Sequence, residues 1–399
     1  MPPHKVLVLD TGNEWGGGTN SLIELLKRVD RSRYEFTALF YRNYPKGDSS
    51  DIKAGIEKLG VKFILLESPR PRLKNFLKEL ARPFLFQKRL REDVFSLIDF
   101  NFRVVPNAGK IAQIIRNKSI DLLYMNNQPA SNLEGILAAK ESGIRCIQHA
   151  RIDTKLGPRE IQAVNGSVSR VICVSGGVMD GLAGQGIDKN KLSLVYNGID
   201  PGADSSRQRD EVRAQLGVSD DEALIGSVGT LTGRKMFGDL VESVGRLAGL
   251  GLPVKGIVVG EGPDRYALED KIQKSGLNGR FFLPGFSQDA LSYLKAFDIF
   301  VLPSKREGLP RVILEAMLMG LPVVACDVAG PSEQVVHGET GYLYKNGDTV
   351  ELADYLQKLV SSAALRQEMG GAGRQRVLKE FSIDAYVKGV EAVFREVLG

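Results

Sequence analysis

Short apolar runs alternate along the chain with longer segments whose apolar positions recur at helical spacing. The short runs predict strands at Lys5–Leu9, Glu35–Phe40, Lys62–Leu66, Leu122–Met125, Arg145–His149, Arg170–Val174 and Ser193–Tyr196, then at Ala223–Val228, Val254–Val259, Phe281–Leu283, Ile299–Val301 and Pro322–Ala325. The longer segments predict helices, among them Leu22–Arg28, Ala130–Glu141, Gly238–Leu247 and Pro310–Met319. Apolar strands that alternate with helices indicate an α/β fold with parallel sheets covered on both faces.

The strand series is interrupted by a polar segment, NGIDPGADSSRQRDEVRAQLGVSDDE, at residues 197–222. A chain of 399 residues is too long for one ordinary core, so we interpret this segment as a linker between two doubly wound, Rossmann-like domains that face each other. We predict domains at 1–202 and 203–379. The last stretch, 380–399, reads as an amphipathic helix that could cap the second domain, but we predict that it crosses back and completes the first.

The overall composition is that of a soluble globular enzyme, with 43% hydrophobic and 25% charged residues. A net charge of +5 permits an anionic ligand and does not demand nucleic acid, which we do not expect as a partner. The three cysteines, in IRCIQ, VICVS and VVACD, have neither zinc-site nor disulfide spacing and predict buried, reduced thiols. No signal peptide or membrane span is predicted, and the expected location is cytoplasmic.

The segment KREGLPRVILEAMLMG places two carboxylates around a predicted helix start. Gly308 permits a tight turn after a strand, and Pro310 suits the first turn of a helix. The free N–H groups there form an anion site, with Glu307 before it and Glu315 one to two turns into the helix. The pattern predicts a phosphate pocket flanked by two acceptors of hydroxyl hydrogen bonds. Two solvated glutamates are the plainer alternative.

The wider string, DIFVLPSKREGLPRVILEAMLMGLPVVACDVAGPSEQVVHGETGYLY, closely resembles the donor-binding segment of family 4 retaining glycosyltransferases, which have the GT-B fold. Their Glu-x7-Glu signature corresponds to Glu307 and Glu315, and Gly330 lies in the matching continuation. The resemblance implies that Glu307 orients the donor sugar and that Glu315 binds the ribose. It implies a donor-binding helix start at Gly308, Leu309, Pro310, Arg311 and Val312.

The segment GTLTGRKM resembles the family pattern Gly-Arg-Leu-x-x-x-Lys-Gly, whose two cations bind the diphosphate. Lys235 matches the lysine, whereas Thr230 replaces the usual arginine and Met236 the usual glycine. Lys235 is therefore the expected main cation. Arg234 either compensates for Thr230 or is solvated.

Further segments follow the family order. The Gly-rich loop at Gly16, Gly17 and Gly18 permits close approach to a phosphate or sugar. His149 corresponds to a family histidine near the reacting sugar, although a lone strand-end histidine is more often structural. VVGEGPDR and FFLPGF resemble two strand-end segments of the family, which implies that Gly260, Glu261 and Pro284 lie beside the nucleotide.

Two features belong to the variable half of the chain. The polar segment NNQPASN follows a strand and predicts acceptor contacts at Asn126 and Asn127. Residues 70–103 carry nine Lys/Arg against four Asp/Glu, with Leu73, Phe76, Leu77, Leu80 and Phe84 on one helical face. This segment either contacts the inner-membrane surface peripherally or packs its apolar side inward.

The resemblance implies a retaining hexosyltransferase that moves a sugar from a nucleotide diphosphate sugar, with UDP as the nucleotide expected from the family, to an acceptor hydroxyl. Glu307, His149 and Lys235 are the expected catalytic residues. No cofactor or metal is expected, and a glycan or lipid-linked acceptor in bacterial surface-polysaccharide or glycolipid assembly is the expected partner. The alternatives are an NAD-type Rossmann oxidoreductase, for which GNEWGGGTN lacks the G-x-G-x-x-G turn, and a non-catalytic nucleotide-sugar sensor.

Overall fold

A computed structural model describes residues 2–12, 15–46, 50–66, 75–76, 78–80, 82 and 87–399. The chain divides into two compact units. The first contains Met1–Cys173, Met179–Leu194 and Gly389–Gly399, and the second contains Val174–Val178 and Val195–Lys388. The predicted linker at 197–222 thus lies inside the second unit, which begins a few residues before the predicted boundary.

The first unit is built on a seven-stranded parallel sheet with the strand order β5-β2-β1-β6-β7-β8-β9. Its strands are β1 (His4–Asp10), β2 (Tyr34–Phe40), β5 (Lys62–Leu65), β6 (Leu122–Met125), β7 (Arg145–Ala150), β8 (Arg170–Cys173) and β9 (Leu192–Leu194). A small antiparallel pair, β3 (Pro45–Lys46) and β4 (Ser50–Asp51), stands apart from this sheet. The central strands β1 and β6 are almost wholly buried, as their continuous apolar runs require.

The helices of this unit connect the parallel strands. They are α1 (Gly17–Arg28), α2 (Ile52–Glu57), α3 (Lys88–Asp99), α4 (Val105–Lys118), α5 (Leu133–Ser142) and α6 (Pro158–Ser167), and α7 (Gly176–Gly184) begins in the second unit. A π-helical turn at Phe100–Val104 joins α3 to α4, and short 3₁₀ turns lie at Pro129–Ser131 and Lys189–Lys191.

The second unit has a six-stranded parallel sheet with the order β12-β11-β10-β13-β14-β15. Its strands are β10 (Ala223–Val228), β11 (Val254–Val259), β12 (Phe281–Gly285), β13 (Ile299–Leu302), β14 (Val323–Cys326) and β15 (Gly341–Tyr344). Its helices are α8 (Arg209–Gln215), α9 (Phe237–Gly249), α10 (Arg265–Lys274), α11 (Ala290–Ala296), α12 (Arg311–Leu318), α13 (Pro331–Gln334), α14 (Thr349–Val360), α15 (Ala363–Glu380) and α16 (Ile383–Leu398). One face of this sheet packs on α9, α10 and α14 through apolar side chains that include Leu240, Ile272 and Leu356.

The last helix, α16, starts in the second unit and ends in the first, to which Gly389–Gly399 belong. There the ring of Phe394 packs edge-on against Tyr34 and Tyr124, with centroids 5.5 and 5.3 Å apart. The prediction that the C-terminal helix crosses back to the N-terminal domain is therefore confirmed. The portion that joins the first unit is shorter than the predicted 380–399.

Both sheets reverse their strand order at one point, between β1 and β6 in the first unit and between β10 and β13 in the second. Loops on the two sides of such a reversal diverge, which leaves a crevice outside the carboxyl ends of the strands where ligands bind in open α/β sheets. We therefore expect the residues that follow these four strands to line the ligand-binding sites of the two units.

Most predicted elements are present within one or two residues at each end, which is the usual uncertainty of helix and strand boundaries. The predicted helix Leu22–Arg28 starts a turn and a half earlier, at Gly17, because glycines without a capping side chain gave no start signal. The predicted strands lacked β15 and the small pair β3 and β4. The helices named from the sequence do not include α15. The three cysteines are buried and free, as predicted.

Much of the basic segment 70–103 lies outside the described residues, including Leu73, Leu77 and Phe84. Phe76 and Leu80 are described, and they are 60% and 58% exposed. No helix in the described part of the chain is long and apolar enough to cross a membrane.

Candidate functional site

The second unit brings one carboxylate and two cations together beyond the carboxyl end of β13. Lys235 Nζ donates to Glu307 Oε1 at 2.7 Å, and Arg234 Nη1 donates to the same oxygen at 2.8 Å. Glu307 and Lys235 are buried, whereas the Arg234 side chain is 33% exposed. We call these three residues the Glu307 cluster. All three were predicted from the sequence. Because both side chains donate to the same Glu307 oxygen, Arg234 joins Lys235 as a second cation of the cluster.

The electrostatics of the Glu307 cluster favour the charged carboxylate. Burial raises the pKa of Glu307, but the neighbouring Lys235 and Arg234 cations outweigh it and hold that pKa below its ordinary value. The carboxylate is shared by two cations, so the cluster keeps a surplus positive charge. Because Glu307 is already ionised in this cluster, an anion can bind the two cations with no change in the protonation of the carboxylate.

Local backbone geometry explains how two adjacent cations reach one carboxylate. Met236, the residue after Lys235, has a left-handed backbone with φ 53° and stands at the N-cap of α9. The amide N–H of Lys305 donates to the Arg234 carbonyl oxygen at 3.1 Å, which ties the β10–α9 loop to the loop after β13. The left-handed conformation is the one that glycine adopts most easily, which is the residue the family pattern has there.

The helix that carries the second glutamate, α12, begins at Arg311, one residue after the prediction. Pro310 at its N-cap provides no side-chain hydrogen bond. The preceding turn is held from outside, because Asn197 Nδ2 donates to Leu309 O at 2.8 Å and Gln334 Nε2 donates to Pro310 O at 3.1 Å. The helix start is thus fixed through its carbonyl groups, and no side-chain cap occupies its first N–H groups.

Close packing fixes the turn before α12. Gly330 has φ 87°, and a Cβ there would lie 2.0 Å from the carbonyl oxygen of Gly308. Neither the backbone angle nor the space would tolerate a side chain. The glycine in the continuation of the motif therefore holds the Glu307–Pro310 turn in place.

Glu315 lies on α12 and is partly buried, and its Oε1 is 3.8 Å from Arg311 Nη2. Burial raises the pKa of Glu315, which Arg311 opposes only in part. Arg311 Nη1 donates to Gly198 O at 2.9 Å, and its buried Nε has no hydrogen-bond partner in the described part of the chain. Glu315 and Arg311 therefore make only a loose ion pair, which leaves the carboxylate able to accept hydrogen bonds from hydroxyl groups.

The other predicted donor residues lie after neighbouring strands of this sheet. Gly260 directly follows β11, with φ 155°, and a Cβ on it would meet Gly229 O at 2.0 Å. Pro284 lies in β12, and Gly260 N donates to Gly285 O at 2.9 Å. Glu261 is engaged with Arg265 at 2.5 Å on the surface. Gly260 is thus fixed by backbone contacts, Pro284 is an exposed residue of β12 beside it, and the carboxylate of Glu261 is held by an arginine.

The first unit has a polar network at its own strand reversal, which we call the Asp10 network: Asp10, Asn126, Asn127 and Arg151. Asp10 accepts hydrogen bonds from Asn126 Nδ2 at 2.9 Å and Asn127 Nδ2 at 2.8 Å, and Arg151 Nη2 donates to Asn126 Oδ1 at 2.5 Å. Burial raises the pKa of Asp10, and these hydrogen bonds lower it only in part. Asn126 and Asn127 were predicted from the sequence as acceptor contacts, whereas Asp10 and Arg151 were not predicted. A carboxylate that ends an apolar strand was the available signal.

The remaining predicted residues of the first unit lie near this network. Gly16 is the N-cap of α1, Gly17 is its first residue, and Gly18 O accepts a hydrogen bond from Asn126 Nδ2 at 3.4 Å. His149 is fully buried in β7, with its Nδ1 2.5 Å from the Tyr124 hydroxyl oxygen. Burial holds the pKa of His149 well below its usual value, with Arg151 adding to the effect. Within this unit the histidine is a neutral core residue.

No group of three or more His, Cys, Asp or Glu residues with metal-binding geometry occurs among the residues that the structure describes.

Comparisons with known proteins agree with this geometry. The profile of the family "Glycosyl transferases group 1" matches residues 208–376, and that of "Glycosyltransferase Family 4" matches residues 15–203. N-acetyl-alpha-D-glucosaminyl L-malate synthase of Bacillus anthracis is 24% identical over 329 residues, 79% of this chain and 85% of that protein. The capsular polysaccharide biosynthesis glycosyltransferase CapM of Staphylococcus aureus is 30% identical over 183 residues, 45% of this chain and 47% of its own length.

A solved structure, HepE of Anabaena in complex with UDP-glucose, superposes with a TM-score of 0.79 at 22% identity and covers 98% of this chain and 99% of its own. At that identity the similarity establishes the fold, with two parallel-sheet Rossmann-like domains.

Proposed function

Because the chain is a family 4-like glycosyltransferase of the GT-B type, we propose that it is a retaining enzyme that transfers a hexosyl group from a UDP-sugar to an acceptor hydroxyl. The observation that carries the proposal is the Glu307 cluster, a buried carboxylate shared by two cations beyond the end of β13. An NAD-dependent oxidoreductase has no support in these comparisons.

The Glu307 cluster suits a reaction in which a diphosphate leaves. Lys235 and Arg234 neutralise the charge that develops on the phosphate oxygen, together with the first N–H groups of α12. Once the phosphates take up these cations, the Glu307 carboxylate can accept a hydrogen bond from a donor-sugar hydroxyl. Glu315 accepts hydrogen bonds from the ribose.

The proposed transfer takes place on one face of the sugar. The bond between the anomeric carbon and the phosphate oxygen breaks as the acceptor oxygen bonds to the same carbon from the same side. The acceptor proton passes to the departing phosphate oxygen, so no protein nucleophile is required. Analysis of the product's anomeric configuration tests retention directly, and an inverted product would contradict it.

UDP is the proposed nucleotide, because HepE has been solved with UDP-glucose. The proposed role is in polysaccharide or lipopolysaccharide assembly, because CapM acts in capsular polysaccharide biosynthesis and LpsE of Rhizobium meliloti in lipopolysaccharide core biosynthesis. Calorimetric titration with UDP, GDP and ADP tests the base. Tighter binding of GDP than UDP would overturn this part of the proposal.

We further propose turnover without a divalent metal, because two side-chain cations and a helix start are available to neutralise the diphosphate. Turnover should be unchanged after treatment with EDTA. A loss of activity that Mg²⁺ or Mn²⁺ restores would contradict it.

We also propose peripheral contact with anionic membrane surfaces through residues 70–103, supported by their basic composition and by the exposed Phe76 and Leu80. The full chain should cosediment with vesicles containing phosphatidylglycerol and not with phosphatidylcholine vesicles. Equal partition to both, or to neither, would contradict membrane recognition.

The decisive test of the transferase is Glu307→Gln, which keeps the shape of the side chain and removes its charge. Transfer and donor hydrolysis should fall by at least about a hundredfold, the scale of losing one preorganised electrostatic group at a reacting centre. Glu368→Gln changes an exposed glutamate of α15 and should have no effect. Wild-type turnover in Glu307→Gln would end the assignment, and the absence of any donor hydrolysis by the wild-type enzyme would favour the sensor alternative.

A further inference from the structure

We propose that the first unit contains a pyranose-binding subsite beside the π-helical turn, which holds a sugar ring of the acceptor. The subsite is a cavity of about 360 Å³, within the range of about 300–1,000 Å³ that is usual for small-molecule pockets. Its charged and aromatic lining consists of Phe95, Asp99, Phe100, Arg103, Arg159 and Glu160. We call it the π-turn pocket. The inference deepens the proposed function and rests on it.

The position of the π-turn pocket in the fold suits a ligand. Ala130 and Leu133, which line it, follow the carboxyl end of β6, and Arg159 follows that of β7. In open parallel α/β sheets this edge is where ligands bind. The remaining wall comes from α3 and the π-helical turn.

The π-helical turn sets which side chains face the cavity. Phe95, Asp99 and Arg103 are spaced by four residues and share one side of the helix. Pro106 lies in the first turn of α4, just after the π-helical turn. Inside an α-helix a proline has no N–H to donate, and its ring clashes with the carbonyl group four residues earlier. The chain avoids this by widening at Phe100–Val104, where Val105 N bonds to Phe100 O. Such widened turns occur frequently at functional sites.

A buried acid holds Arg103 at the cavity. The fully buried Glu134 accepts hydrogen bonds at Oε1 from Arg103 Nη1 at 2.7 Å and from the Tyr41 hydroxyl at 2.9 Å. Its Oε2 is buried and has no hydrogen-bond partner in the described part of the chain. Burial raises the pKa of Glu134 against the attraction of Arg103. An incompletely satisfied buried carboxylate destabilises the fold, so we assign it a purpose, which is to position the Arg103 guanidinium.

The chemistry of the lining fits a neutral, hydroxyl-rich ring. The guanidinium groups of Arg103 and Arg159 donate hydrogen bonds, and the carboxylates of Asp99 and Glu160 accept them. Lys78, which pairs with Asp99, and the buried Glu134, which pairs with Arg103, add one charge of each sign. The charges therefore cancel, and neither an anion nor a cation is selected. A sugar hydroxyl does both, donating to an acid and accepting from an arginine. Phe95 and Phe100 supply apolar surface for the C–H faces of the ring, and the Arg159 guanidinium carbon lies 4.9 Å from the centre of the Phe100 ring.

The test uses the full chain saturated with UDP, so that the nucleotide-binding unit is occupied, and saturation-transfer NMR. The probes are the methyl pyranosides of glucose, galactose, mannose and N-acetylglucosamine at millimolar concentration. At least one should receive saturation from the wild-type protein. Ser96→Trp, at an exposed lining position of α3, should fill the cavity and abolish the signal. Arg159→Ala should weaken binding about tenfold, the scale of one lost hydrogen bond to a charged group.

The matched control is Arg116→Ala, which removes an exposed arginine from α4, paired with Glu141 on the surface, and should bind the pyranosides as wild type does. UDP titration should be unchanged in all three variants, so a failure of UDP binding by the wild-type protein would count against the proposed function and not against this subsite. Three results would overturn the subsite: no pyranoside bound by the wild type, binding that persists in Ser96→Trp, or displacement of the pyranoside by inorganic phosphate.

Discussion

The Glu307 cluster and the Asp10 network occupy equivalent places in two similar sheets and are built in opposite ways. In the Glu307 cluster two cations converge on one carboxylate, and the pKa of that carboxylate is held low. In the Asp10 network two neutral amides and a backbone N–H satisfy a buried carboxylate whose pKa is raised. Surplus positive charge prepares the first for an anionic ligand, whereas internal saturation makes the second a rigid support for the loops around it.

The largest effect should come from removing the buried cation. Lys235→Met should lower kcat/KM by about 10²–10³-fold, because one preorganised group that stabilises the leaving diphosphate is lost, and it should weaken UDP binding. Steady-state kinetics and UDP calorimetry measure both. Lys274→Met, at an exposed lysine of α10 that pairs with Asp270, is the control and should be silent. Undiminished UDP binding in Lys235→Met would show that Lys235 does not contact the diphosphate.

The corresponding change in the first unit should act on stability. Asp10→Asn replaces the accepting carboxylate with an amide whose NH₂ group faces other hydrogen-bond donors. The donors left without an acceptor should lower the free energy of unfolding by about 1–3 kcal/mol. Urea denaturation measures this loss. UDP affinity should be retained because the nucleotide cations lie in the other unit. Asp180→Asn, at an exposed position of α7, should be neutral, and an equal loss in both variants would mean that the network does not hold the fold.

Acid should affect the two carboxylates in opposite directions. Burial raises the pKa of Glu307, but Lys235 and Arg234 hold it below 4.5, so its stabilising contribution is complete above pH 4.5 and is lost as the pH falls through the lowered pKa. Burial raises the pKa of Asp10 above 3.8, so the folded state binds more protons than the unfolded state, and the Asp10 contribution falls as the pH rises from 3.8 through the raised pKa.

The measurement is thermal unfolding of wild type, Glu307→Gln and Asp10→Asn from acidic to neutral pH. The stability difference between wild type and Glu307→Gln should grow as the pH rises towards 4.5, the ordinary pKa of a glutamate. The difference between wild type and Asp10→Asn should shrink as the pH rises. Difference curves with the same slope would refute the contrast between the two sites.

The smallest effect concerns backbone strain beside the Glu307 cluster. Met236 and Ser119 are the non-glycine residues with left-handed backbones in the described part of the chain, with φ 53° and 51°. Left-handed geometry costs about 1–2 kcal/mol for a residue with a Cβ, while glycine costs roughly 0.5–1 kcal/mol in unfolded-state entropy. Met236→Gly and Ser119→Gly should each stabilise by up to about 1 kcal/mol in urea denaturation. Leu250→Gly, at φ −81°, is the control and should lower the free energy of unfolding. If Leu250→Gly also stabilised the protein, backbone strain would not explain the effect of the other two variants.

Much of the fold could be read from the sequence, because apolar runs of strand length separated by helical periods leave few alternatives to parallel α/β sheets. β15 was missed because GYLY is a short run, in which Tyr342 and Leu343 are only partly buried. α15 gives only a weak helical pattern, because its apolar residues do not line one face, and its glycines include Gly370, where a Cβ would lie 1.9 Å from Gly320 O. Close contact between distant segments selects such residues, and local patterns do not report it.

For the site, the order of residues along the chain determined its chemistry: a glutamate, a tight turn and a helix start after β13, and two cations after β10. The tertiary structure alone decided that Arg234 turns towards Glu307, that His149 is enclosed beside Tyr124, and that Asp10 accepts hydrogen bonds from the two asparagines that follow β6. The physical reason is that hydrogen bonds and burial depend on distances across the sheet. Those distances follow from strand order, which connects residues more than a hundred positions apart.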